Sequence, residues 1–226
     1  MRDVAEPRPH SRPSLEDLVA RARALADAAR VSGRRCILGI TGPPGAGKST
    51  LALALVEALD GTAIYLPMDG FHLAQAELER LGRADRKGAP DTFDAAGFGA
   101  LLRRLRDDAS GVVYAPAFDR ALEEPIAGAI PVAPDVPLVV TEGIYLLLAR
   151  PPWDQVRPLL DEAWYVDLES EVRVARLIER HVLFGRTPAA AREWVLRSDE
   201  ANARLVEGTR SLADLVVPAL GSLAQP

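Results

Sequence analysis

Gly42-Pro43-Pro44-Gly45-Ala46-Gly47-Lys48-Ser49 decides the fold, because it is a complete GxxxxGK(S/T) phosphate-binding loop set between a strand and a helix. The 226-residue chain takes its positive charge from 25 arginines and only 2 lysines, and one lysine stands here. A flexible ammonium reaches between phosphates where a guanidinium fork is too bulky, so Lys48 marks a position that arginine could not fill. Upstream, Cys36-Ile37-Leu38-Gly39-Ile40-Thr41 is a short apolar run of the kind that forms a buried parallel strand. Downstream, the stretch from Ser49 to Leu59 is rich in helix formers. Strand, loop and helix aim backbone N–H groups and a helix dipole at a polyphosphate. The nucleotide-binding set is therefore Gly42, Pro43, Pro44, Gly45, Ala46, Gly47, Lys48, Ser49 and Thr50, with the Ser49 hydroxyl placed to ligate Mg²⁺.

Working outward, strand and helix signals alternate, which predicts an α/β fold of three layers with a mostly five-stranded parallel sheet, flanking helices and a helical lid. Residues 1–13, rich in proline and arginine, are expected to form a disordered tail, and residues 14–226 one domain. Ser14 reads as the N-cap of a leading amphipathic helix. Four runs end in polar groups suited to phosphate chemistry: the loop itself, Thr62–Met68 before Asp69, Leu138–Thr141 before Glu142, and Ala163–Val166 before Asp167. In an open parallel sheet these ends share one ligand-binding edge. Asp214-Leu215-Val216-Val217 supplies a fifth strand.

Two segments read as irregular, Arg83–Asp94 and Tyr114–Pro125, and they are the candidate acceptor pocket, with Arg120 on the second. From Ser170 onward Arg173, Arg176 and Arg180 share a helix face, and Gly185-Arg186-Thr187-Pro188 breaks it before a second helix. Such a hairpin, around 170–205, would close over a triphosphate, with Arg176 and Arg180 balancing charge in transfer and Arg186 holding nucleotide. A solvated stripe paired with Glu169, Glu171 and Glu179 has the same spacing.

The formal charge of −5 argues against a broad nucleic-acid surface, and no apolar run is long enough to cross a membrane. Cys36 cannot form an intramolecular disulfide and is expected to pack within the first strand. A cytoplasmic protein acting on a small molecule follows, with a homodimer left open.

These residues resemble the P-loop kinases grouped with uridine kinase, pantothenate kinase and phosphoribulokinase, from Ile37 to Val217. Met68-Asp69-Gly70-Phe71-His72 is similar to the segment holding that group's catalytic aspartate, which implies Asp69 as general base, with His72 beside the substrate. Lys87-Gly88-Ala89-Pro90-Asp91-Thr92-Phe93-Asp94 is similar to the KGxPxxxD-like and HPxxFD stretches of the group, implying Lys87, Asp91 and Phe93 in the acceptor site. Thr141-Glu142-Gly143-Ile144 looks like its acidic strand end, implying Glu142 beside Mg²⁺ and substrate. The lid departs from the uridine-kinase pattern at Leu177 and His181, and the nearest likeness is to a branch bearing nucleoside-kinase or sugar-kinase (fructose) labels. The resemblance implies an ATP- and Mg²⁺-dependent kinase acting on a small-molecule alcohol, the alternative being a nucleotide-dependent switch or chaperone that acts on a protein partner.

Overall fold

The structure, a computed structural model, describes residues 13–107 and 110–223. The expected N-terminal tail lies, but for Pro13, outside the described residues. Five parallel strands form the main sheet: β1 (Cys36–Thr41), β2 (Ala63–Pro67), β5 (Leu138–Glu142), β6 (Glu162–Asp167) and β7 (Leu215–Pro218), in the order β2-β5-β1-β6-β7. β1 is central, so both its faces must be covered, which is why it is apolar without alternation. Successive residues go to opposite cores: Ile37, Val139 and Tyr165 to one, Leu38, Val140 and Trp164 to the other.

The second core lies under α1 (Leu15–Ser32) and α2 (Lys48–Ala58), and the first under α4 (Ala95–Asp107) with Tyr145 and Trp153. Ser14 caps α1 through a reciprocal capping box with Asp17, and Gly33 ends it in the left-handed region. Four buried residues, Leu18, Ala22, Ala26 and Ala29, recur every three or four positions, the stripe that seats α1 on the sheet. Cys36 is only half-buried, because it begins the strand instead of sitting inside it.

Tyr114–Pro125, read as irregular, is largely structured. β3 (Val113–Asp119) and β4 (Glu124–Val132) form an antiparallel hairpin of their own. Pro116, Pro125 and Pro131 concealed it: proline is tolerated in a two-stranded ribbon, where each strand has a free edge, and the register shifts between Ala115 and Ala117, at Pro116. The short α3 (Gln75–Arg80) lies between β2 and α4.

The arginine-bearing helix is α5 (Ser170–Leu183), followed by α6 (Pro188–Trp194), a wide π-type turn over Val195–Asp199, and α7 (Glu200–Glu207). The hairpin is present, but Arg173 is no surface arginine. It is fully buried, ion-paired at 2.5 Å with Glu200, and donates to the Pro44 carbonyl at 3.4 Å. None of Glu169, Glu171 or Glu179 is its partner.

Candidate active site

The phosphate loop joins β1 to α2 through left-handed glycines, and Gly45 shows why no side chain is tolerated. Its φ is +80°, and a Cβ there would stand 2.8 Å from Leu177 Cγ on α5. The loop thus lies directly under the arginine helix. Lys48, the first residue of α2, is buried and curls back to donate from Nζ to the Pro43 carbonyl at 3.1 Å. Burial pulls its pKa down, and the carboxylates of Glu142 and Asp69 work in the opposite sense.

Glu142 ends β5 beside that ammonium, also buried. Its Oε1 accepts from Ser49 Oγ at 3.1 Å and Tyr65 Oη at 2.9 Å. Burial raises its pKa, with Asp69 adding to the rise, while Lys48 and the two hydroxyl donors oppose it. Ser49 and Glu142 present hard oxygens next to the loop, a donor set that fits Mg²⁺, which binds through one or two protein oxygens, substrate phosphates and water. No cluster of three or more His, Cys, Asp or Glu suited to a metal occurs among the described residues.

A cavity of about 480 Å³ opens from the loop. Pro44, Gly45, Lys48, Ser49 and Glu142 line one end, and Asp69 lies on a single tight turn after β2. The other end has an aromatic floor: the His72 ring lies 4.0 Å from that of Phe93 and 4.9 Å from that of Phe118. The His72 Nδ1 donates to the Asp69 carbonyl at 2.8 Å, and burial holds its pKa below the ordinary value, so Nε2 is left as a lone-pair acceptor. Lys87, Arg120, Arg180 and Arg186 also face this cavity. Arg120 donates to Asp69 Oδ2 at 2.5 Å, and the Arg186 guanidinium stacks on Trp194 at 4.2 Å.

Gly70 fixes the hairpin to this site. A Cβ on it would stand 2.4 Å from the Pro116 carbonyl oxygen, so the turn bearing Asp69 lies against the backbone of β3, which carries Phe118. The loop around Gly88 is tied twice, its carbonyl accepting from Tyr145 Oη at 2.7 Å and Asn202 Nδ2 at 3.2 Å.

Some anticipated residues are elsewhere. Asp91 does not line the cavity; Arg86 holds its carboxylate at 2.9 Å and keeps its pKa low. Asp167 points to Arg210 at 3.0 Å. Arg176 shares a separate pocket of about 290 Å³ with the loop, Thr50 and Arg180. Gly42, Pro43 and Ala46 are buried within the loop. Sequence reasoning overlooked Trp194, Asp199 and Asn202, which reach the cavity from the lid. The π-type turn before Asn202 shifts the helix phase, so periodicity alone does not reveal which side chains face inward.

Residues 37–224 match the family model described as Phosphoribulokinase / Uridine kinase family. The chain belongs to that family. A Schizosaccharomyces pombe protein provisionally named a uridine kinase is 36% identical over 198 residues, covering 83% of this chain and 84% of its own. An ATP-dependent kinase-like protein of Aspergillus versicolor, notR', is 38% identical over 160 residues, 67% of this chain and 93% of that one. A crystal structure from Silicibacter sp. TM1040, provisionally described as a fructose transport system kinase, superposes with a TM-score of 0.76 at 37% identity over 86% of this chain and 98% of that one. The fold is the three-layer α/β fold of the P-loop kinases, and the chain is a kinase that uses ATP and acts on a small molecule. No helix among the described residues is long and apolar enough to cross a membrane.

Proposed function

We propose that this kinase transfers the γ-phosphoryl group of Mg²⁺-ATP to a hydroxyl of a nucleoside or sugar, with Asp69 as the base. One observation carries the reading: the cavity runs without interruption from Lys48 and Ser49, past Asp69, to the floor of His72, Phe93 and Phe118. A phosphate donor at one end and an alcohol at the other would meet beside a carboxylate.

The acceptor hydroxyl gives its proton to Asp69 as its oxygen bonds to the γ-phosphorus; the bond to the bridging oxygen breaks and ADP leaves. Lys48 and the loop amides hold the β- and γ-phosphates, and Arg180 and Arg186 come from the lid side to balance charge and exclude water. Arg176, on the loop's outer side, contacts nucleotide. Mg²⁺, held through Ser49 and Glu142, would neutralise phosphate charge. His72 Nε2 orients an acceptor hydroxyl, and Phe93 and Phe118 support the acceptor's apolar face.

The test measures ADP formation across nucleosides, hexoses and pantothenate-like alcohols, with mass detection of the phosphorylated product. At least one acceptor should raise turnover well above the acceptor-free rate. If none does while a protein partner accelerates hydrolysis, the metabolite-kinase reading gives way to a nucleotide-dependent switch.

A further inference from the structure

We infer that the acceptor bears an anionic oxyacid group, carboxylate or phosphate, and that Lys87 and Arg120 bind it beside Phe118. The inference rests on the kinase reading above, phosphoryl transfer to a hydroxyl, and replaces its nucleoside-or-sugar class with acceptors that carry an acid group, a phosphorylated nucleoside or sugar or a hydroxy acid. In a chain that draws its positive charge from arginine, the only two lysines, Lys48 and Lys87, line the same cavity. Lys48 belongs to the phosphate loop; Lys87 stands at the other end. Its Nζ lies 5.4 Å from the centroid of the Phe118 ring, and the Arg120 guanidinium 5.0 Å from it. Two cations therefore share one aromatic wall on the acceptor side.

Neither cation is committed to a structural carboxylate. Lys87 Nζ donates to the Glu123 carbonyl at 2.7 Å, and no carboxylate pairs with it among the described residues. Arg120 pairs with Asp69, the base itself. The other acids on the cavity away from the loop are Glu123, exposed at the rim, and Asp199, held by His181 at 3.0 Å. A neutral acceptor requires no such pair of cations, while Lys48, Arg180 and Arg186 suffice for the triphosphate.

The Arg120–Asp69 contact adds a consequence. With Oδ2 engaged by a guanidinium, that lone pair is closed to a hydroxyl proton. An anionic group that draws Arg120 onto itself frees Oδ2 as the acceptor arrives, whereas a neutral acceptor leaves Arg120 on the base. Charge selection and release of the base are one event.

The test uses the full chain saturated with Mg²⁺ and a non-hydrolysable ATP analogue, so that the loop is filled. Inorganic phosphate and, in a separate arm, acetate are titrated by calorimetry into wild type, Arg120→Gln, Lys87→Gln and Lys87→Arg. One anion should bind at a single site and weaken by about 10- to 100-fold in both glutamine variants, the loss of one charge-assisted hydrogen bond, with partial recovery in Lys87→Arg. Preference for phosphate marks a phosphorylated acceptor; preference for acetate marks a hydroxy acid. Absence of saturable binding by either anion, or binding that every variant retains, overturns the inference. In the acceptor screen, turnover of a neutral compound with a KM indifferent to Arg120→Gln overturns it too and leaves the kinase reading standing. Intact anion binding with no acceptor turned over strikes the kinase reading instead.

Discussion

Replacing Asp69 with asparagine should lower phosphoryl transfer by about 10²–10⁴-fold, the contribution of a positioned general base, and leave the fold and ATP affinity nearly intact. The substitution keeps the volume of a side chain that sits on a tight turn between β2 and α3 and removes only its charge and basic lone pairs. The loss in rate corresponds to about 3–5 kcal/mol of transition-state stabilisation. The cost to stability is far smaller, because Asp69 and Arg120 are 29% and 56% exposed, and an ion pair so open to solvent is worth about 0–1 kcal/mol. Nucleotide affinity should change little because the groups placed to meet phosphate are Lys48 and the loop, not Asp69. Lys48→Ala should differ, weakening triphosphate binding as well as transfer. Fluorescent-nucleotide titration beside an acceptor-dependent rate assay separates the two. A folded Asp69→Asn protein with near-normal kcat would refute the assignment and direct the search to Glu123 and Asp199 on the same cavity.

Arg173→Ala should destabilise the protein by about 3 kcal/mol, the lower end for breaking a buried pair, since Glu200 keeps some access to water; an unchanged Tm would refute the anchoring of the lid to the loop. Gly70→Ala should drive β3 away from the turn that bears Asp69 and raise the KM for acceptor while sparing that for ATP, at about 1–3 kcal/mol of stability; equal changes in both KM values would show that the hairpin is no part of the acceptor wall.

The sheet was legible because its three inner strands, β5, β1 and β6, are short apolar runs ending in a polar group, and burial on both faces leaves no alternation to misread. The phosphate loop was legible because its glycines and Lys48 have little structural substitute. The hairpin was not: its prolines signal loop, and only tertiary packing against Gly70 shows why the ribbon forms there. Asp91 was misplaced because its partners, Arg86 and Arg83, stand five and eight residues upstream within a turn whose shape the sequence does not fix. Spacing groups Arg173 with Arg176 and Arg180 on one helix face, but it cannot distinguish a side chain facing phosphate or solvent from one facing Glu200 across the lid.

The Gly88 carbonyl, which receives Tyr145 from the sheet side and Asn202 from α7, works as a latch with two unequal fastenings. Tyr145 is fully buried in the core, so its grip persists whatever the lid does. The Asn202 bond is the one that depends on α7, and a neutral hydrogen bond of that kind is worth about 0.5–1.5 kcal/mol, while Val206 of the same helix is buried in the core that holds Tyr145. The acceptor loop therefore keeps its place from the sheet side, and α7 adds to its register without being its sole support.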